Sequence, residues 1–167
     1  MGAENSVVVF CDRTPGSGLP PRAIARSGND NILGGLGVSG RVWAIRGAVT
    51  AVENSKTAMA EAVAELLEAL EVRNQLDPAC IISATFSVTR DLDALFPAAI
   101  ARQRPGWDRV PLLDVQHMHV AGSLPRCIRI LMYVQLPPGQ AAVQHAYLRE
   151  AEALRPDLEY SSPSWPC

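Results

Sequence analysis

The chain has 167 residues, of which 48% are hydrophobic and 19% charged, with a formal net charge of −2 and a pI near 5.9. This is the make-up of one globular domain long enough to bury most of its apolar surface. It excludes a broad nucleic-acid surface, which needs a basic stripe, but leaves room for a small anionic ligand held by a few well-placed arginines.

Residues 1–40 hold eight of the twelve glycines together with Pro15, Pro20 and Pro21, and show no helical or strand period beyond Val7–Phe10. They read as a flexible or irregular arm, or as one that pairs Val7–Phe10 with a partner chain or covers a site. From residue 41 the pattern becomes regular. Residues 41–49 form a strand. Asn54 or Ser55 caps a helix to about Asn74, with Met59, Val63, Leu66, Leu67 and Leu70 in an apolar stripe and Glu61, Glu65, Glu68 and Glu71 on the solvated side. Asp77-Pro78 breaks the chain before a second strand, Cys80–Val88. Asp91 caps a shorter helix to about Gln103, ended by Pro105-Gly106. Val110–Val115 is a third strand, followed by irregular chain through Gly122 and Pro125. Arg126–Gln135 is a fourth strand, closed by Pro137-Pro138-Gly139, and Gln140–Leu154 reads equally as helix or strand. The order indicates an α+β domain, 41–158, with helices against one mixed sheet, and a short tail, 159–167.

Two of these strands carry an anomaly. Arg46 interrupts V-W-A-I-R-G-A-V (42–49), and Arg129 interrupts C-I-R-I-L-M-Y-V (127–134). Alternation places Arg129 in a layer with Cys127, Leu131 and Tyr133, and Arg46 in line with Val42, Ala44 and Ala48. Strands apolar on both faces are usually buried on both, and a guanidinium cannot shed its charge. Both arginines therefore demand an anion.

The four cysteines, Cys11, Cys80, Cys127 and Cys167, form no C-x-x-C pair and no zinc-like spacing. No metal is expected. All four are expected to be reduced, with Cys80 and Cys127 acting as small hydrophobes. The run Val7–Cys11 is too short for a signal peptide and lacks a basic lead. No stretch reaches the roughly eighteen apolar residues of a membrane span, so no membrane association is expected and the location is read as cytoplasmic.

Six motifs in order resemble the trimeric chorismate mutases of the AroH class: I-R-G-A (45–48), D-L-D-A-L-F-P-A (91–98), G-W-x-x-V-P (106–111), L-P-R-C-I-R (124–129), H-A-Y-L (145–148) and L-R-P-D-L (154–158). The resemblance implies a five-stranded mixed β-sheet with helices packed on one side, and a homotrimer forming a pseudo-α/β barrel with sites at subunit interfaces. It implies rearrangement of chorismate to prephenate, feeding phenylalanine and tyrosine synthesis, without cofactor or metal. By the same resemblance, Arg129 bonds the breaking ether oxygen and a carboxylate, Arg46 and Tyr147 grip a carboxylate, and Phe96, Arg102, Leu154 and Arg155 line or close the site.

The chain departs from that pattern where the family has a glutamate that accepts the substrate hydroxyl. His117 stands there instead, and Asp114 replaces a small residue; a lysine of some members is Ala99. Either Asp114 or His117 takes over as acceptor, or the pair marks a refitted pocket for another anionic substrate in specialised metabolism, or the fold is a ligand-binding scaffold. The bland reading leaves His117 and His119 in solvent. Simple alternation puts Asp114 and His117 on opposite faces unless a bulge lies between them.

Overall fold

The computed structural model describes residues 40–138 and 142–157; the arm before Gly40 and the tail 159–167 lie outside them. Five strands, β1 (Arg41–Thr50), β2 (Ile81–Val88), β3 (Leu112–Gln116), β4 (Cys127–Leu136) and β5 (Ala146–Tyr147), form one sheet in the order β3-β2-β4-β1-β5. β4 pairs antiparallel with β1 and β2, while β2/β3 and β1/β5 are parallel, so the sheet is mixed.

Helices α1 (Lys56–Asn74) and α2 (Pro97–Ala101) sit on one face. The stripe Met59, Val63, Leu66, Leu67 and Leu70 is fully buried there, against Ile45, Val49, Phe86, Ile128, Ile130, Met132 and Val134. Gly47 allows this approach: a Cβ on it would lie 3.0 Å from both Ile130 Cγ2 and Leu66 Cδ1, and 3.1 Å from the Ala146 carbonyl of β5. The opposite face carries a smaller cluster, Ala48, Cys127 and Ala151, covered by a 3₁₀ segment at Arg149–Leu154. Within the ambiguous stretch 140–154, the described residues from 142 on contain a two-residue strand followed by this segment.

Several local expectations change. Ser55 is the cap of α1, its hydroxyl accepting from Ala58 N–H at 3.2 Å. Asn54 instead holds the 93–94 loop, accepting from Asp93 N–H (3.1 Å) and Ala94 N–H (3.2 Å). Asp91 caps no helix; its carboxylate accepts from Arg126 N–H at 2.9 Å. The second helix begins only at Pro97, because proline disfavours helical geometry at Phe96 yet fits the first helical position. The 3₁₀ turn Trp107–Arg109 delays β3 to Leu112. Cys80 ends a 3₁₀ turn before β2 and is disulfide-bonded, against the expectation of four reduced thiols; Cys127 is a free, buried thiol.

Glu71 is not simply solvated. Its carboxylate pairs with Arg104 and accepts the indole N–H of the fully buried Trp107 at 2.7 Å. A buried donor left without its acceptor is costly, so Glu71→Ala should lower the unfolding free energy by about 1–3 kcal/mol. The expected observation is a lower urea midpoint at unchanged m-value.

Candidate active site

The sheet register assembles the site. Ala48 of β1 stands opposite Arg129 of β4, Ser87 of β2 flanks Arg129 on the other side, and Ala48 also pairs with Tyr147 of β5. Val115 of β3 is paired with Ser87. One row, Val115–Ser87–Arg129–Ala48–Tyr147, therefore crosses all five strands on the face away from α1, with Arg129 at its centre. In the next row, Arg46 faces Leu131, which faces Thr85. The two arginines are diagonal neighbours on one face, close enough for long side chains to act on one ligand.

Around them lies a cavity of about 690 Å³, lined by Arg46, Ala48, Ser87, Arg129, Tyr147 and Arg155, with Leu154 at its wall. That volume suits a small organic ligand. The small side chain of Ala48 leaves room between Arg129 and Tyr147. Arg46 is exposed and Arg129 half-buried, so the expected burial of both fails within a single chain. The reason is that, among the described residues, only the 3₁₀ segment covers this face, and Leu113, Val115, Leu131 and Tyr133 remain open to solvent.

The cavity is cationic and incompletely paired. Among the described residues, neither Arg46 nor Arg129 forms an ion pair with a carboxylate. The Nε of Arg129 is buried without a hydrogen-bond partner, and so is Nδ1 of His117. Burial and then the Arg129 charge hold the His117 imidazole below its ordinary value, with Asp91 partly opposing. His145 accepts from Arg46 N–H at 3.2 Å and is likewise lowered, by burial and then by Arg155 and Arg46. Arg155 donates to both carboxylate oxygens of Asp157, at 2.9 and 2.7 Å, which holds that carboxyl below its usual range.

Other expected residues lie elsewhere in the chain. Phe96 (73% exposed) and Asp114 line a second cavity of about 310 Å³ with Leu92, Leu95 and Val115. Asp114 accepts from Ala98 N–H of α2 at 3.0 Å; burial raises its pKa, and that N–H and Arg102 partly offset the rise. Arg102 is exposed at the end of α2. Alternation holds between Asp114 and His117, and no bulge brings them together. Within one chain, the charges acting on His117 are those of Arg129 and Asp91, and that of Asp114 is not among them. His119 is exposed.

Ser87, Thr85 and His145 were not marked by residue type. Their signal is the pairing of β2 and β5 with strands that carry arginines. Among the described residues, no helix is long and apolar enough to cross a membrane, and no group of three or more His, Cys, Asp or Glu could hold a metal ion.

This architecture defines a class: an α+β protein with a cationic cavity on the helix-free face of a five-stranded mixed sheet. The chorismate mutase type I family matches residues 42–158. The chorismate mutase AroH of Thermus thermophilus is 46% identical over 122 residues, covering 71% of this chain and 97% of its own length. That of Bacillus subtilis is 38% identical over 114 residues, 68% of this chain and 90% of its own. A solved chorismate mutase from Clostridium thermocellum superposes with a TM-score of 0.63 at 39% identity, over 66% of this chain and 98% of that one. The chain belongs to the chorismate mutase type I family and is of the AroH type.

The two histidines give the site a pH signature. Each has a folded pKa below the ordinary 6.5, so the unfolded chain takes up protons first as pH falls. This contribution to stability is intact above that value and is lost on acidification. Arg129→Gln removes a charge that opposes His117 protonation. Its imidazole should then titrate at higher pH in an NMR titration, while His145 stays put.

Proposed function

We propose that this chain converts chorismate to prephenate, a step toward phenylalanine and tyrosine, in the cytoplasm and at sites completed between the subunits of a homotrimer. The observation that carries the reading is the arginine row: Arg129, with its Nε buried and unpartnered, beside Arg46, Tyr147 and Arg155 in one cavity. Chorismate carries two carboxylates, and its rearrangement is unimolecular. Its pericyclic transition state gathers partial negative charge on the breaking ether oxygen. No nucleophile or proton transfer is needed.

The protein's work is then of two kinds. Arg46, Tyr147 and Arg155 grip the carboxylates and hold the compact conformer in which the reacting carbons meet. Arg129 aims fixed positive charge at the ether oxygen, where it acts more strongly in the transition state than in the ground state. Leu154 closes the apolar side. To receive a ligand, Arg155 exchanges Asp157 for a substrate carboxylate.

The open sheet face supports the trimer. Leu113, Val115, Leu131 and Tyr133 form an apolar surface that a partner would cover. In that assembly the second cavity, with Phe96 and Asp114, is the contribution of a neighbouring subunit to the site, with the Arg102 charge acting on Asp114. Two groups can accept the substrate hydroxyl in place of the family's glutamate: the neutral His117 imidazole beside Arg129, and the Asp114 oxygen not bonded to Ala98.

Purified protein should consume chorismate and form prephenate, followed by loss of chorismate absorbance. Arg129→Ala should lower kcat/KM by at least about 100-fold, the scale of losing one preorganised charged donor. In solution the mass should be three times the 18.0 kDa chain. Saturable binding without turnover across a wide pH range would replace this reading with a binding role.

A further inference from the structure

We propose that Arg149, which lines neither cavity, is a positioning residue that fixes the segment bearing Tyr147, Leu154 and Arg155. The proposal rests on the functional reading above for its kinetic consequence, and on bonding geometry for the rest. Arg149 follows β5 by two residues and begins the 3₁₀ segment, with φ of 56°. That left-handed region is unfavourable for a residue with a Cβ and persists only where the surroundings over-determine it.

The surroundings here are specific. Arg149 Nη1 donates to the Thr50 carbonyl at the end of β1, at 2.9 Å. Its Nε and Nη2 donate to Glu65 Oε2 at 2.9 and 2.5 Å. Glu65 belongs to α1, on one face of the sheet, whereas the 3₁₀ segment covers Ala48 and Cys127 on the other. The guanidinium therefore ties the helix layer to the site layer around the end of β1.

Residues 144–148, on either side of Tyr147, are held separately. Asn74 and Gln144 exchange two bonds, at 2.7 and 2.9 Å, Arg73 donates to the His145 carbonyl at 3.1 Å, and Leu148 N–H donates to the Ala48 carbonyl at 2.9 Å. Downstream there is no such redundancy. Among the described residues, every hydrogen bond joining residues 149–155 to β1 or α1 is made by Arg149; the remaining ones are internal to residues 147–157. Leu154 and Arg155 therefore take their placement from Arg149, from the packing of Ala151 and Leu154 against Ala48 and Cys127, and from the bond of Arg155 to Tyr147. A charged donor fixing a segment of this kind affects how well a carboxylate is gripped in ground and transition states alike, so its loss should appear in KM.

The test compares Arg149→Ala, Arg149→Gly and Glu65→Gln with the wild type. Arg149→Gly frees the left-handed turn but removes the tie, separating backbone strain from side-chain bonding. Both Arg149 variants should raise KM for chorismate about tenfold, with kcat changed less than about threefold, the scale of one charged hydrogen bond. Glu65→Gln should fall between them and wild type. In all three, amide exchange at Ala151 should accelerate while exchange in β4 stays at the wild-type rate. KM within about twofold of wild type in both Arg149 variants, even with a lowered melting temperature, would reduce Arg149 to a purely structural residue. If the wild type itself does not turn chorismate over, the functional reading fails. Amide exchange then decides the positioning role alone: faster exchange at Ala151 sustains it, and unchanged exchange overturns it.

Discussion

A permanent charge in the central strand of the sheet is the constraint from which the rest follows. β4 lies between β1 and β2, so its residues face neighbours on both sides, and Arg129 sits in the middle of the row that crosses all five strands. One face of that strand, Ile128, Ile130, Met132 and Val134, is apolar and packs beneath α1. The other cannot be closed by a helix of the same chain, because that would bury a guanidinium without a counter-charge. Among the described residues, α1 and α2 accordingly lie on one face, and the other carries only a short 3₁₀ segment at its end. The open apolar residues and the unpartnered Arg129 Nε are two consequences of the same arrangement.

Electrostatics around the cavity follow a consistent logic. Cationic side chains converge on it from β1, β4 and the 3₁₀ segment, and the two imidazoles beside them are kept neutral by burial and by those cations. A neutral imidazole next to Arg129 can accept a hydrogen bond without cancelling the positive charge of the site. A carboxylate in its place would neutralise part of that charge while giving a stronger acceptor. A histidine at position 117 is therefore compatible with a site that stays cationic. Asp114, by contrast, has one oxygen committed to the start of α2, which makes it part of the scaffold behind Phe96 whatever its second oxygen does.

Much of this was legible before any coordinates. The apolar stripe of α1, the long elements and the layer that each arginine occupies within its own strand follow from periodicity, because a helix and a strand repeat at different intervals; that Arg46 and Arg129 share one face follows from the β1/β4 register. The six ordered motifs carried the family. What misled was local competition. Asp91 has the composition of a helix cap, yet Pro97 sets the helix start and Arg126 N–H claims the carboxylate. Glu71 belongs by spacing to a solvated row, yet it meets Arg104 and the Trp107 indole from another part of the chain. Apolar alternation on both faces of β1 and β4 suggested burial on both, but the described residues put helices on only one.

By itself, the sequence determined which residues share a face, where the long elements lie and which side chains carry charge that needs an anion. These depend on chain-local geometry, on patterns that repeat within a strand or a helix. Only the tertiary structure decided that Ser87 and Tyr147 flank the Arg129–Ala48 row, that Asp114 bonds to the start of α2 while His117 feels the Arg129 charge, and that Arg149 reaches Glu65 around the end of β1. Those relations depend on strand order, register and packing between residues up to about a hundred positions apart in the chain, as with Arg149 and Thr50. Side-chain spacing along one segment carries no information about which neighbour a sheet will place beside it.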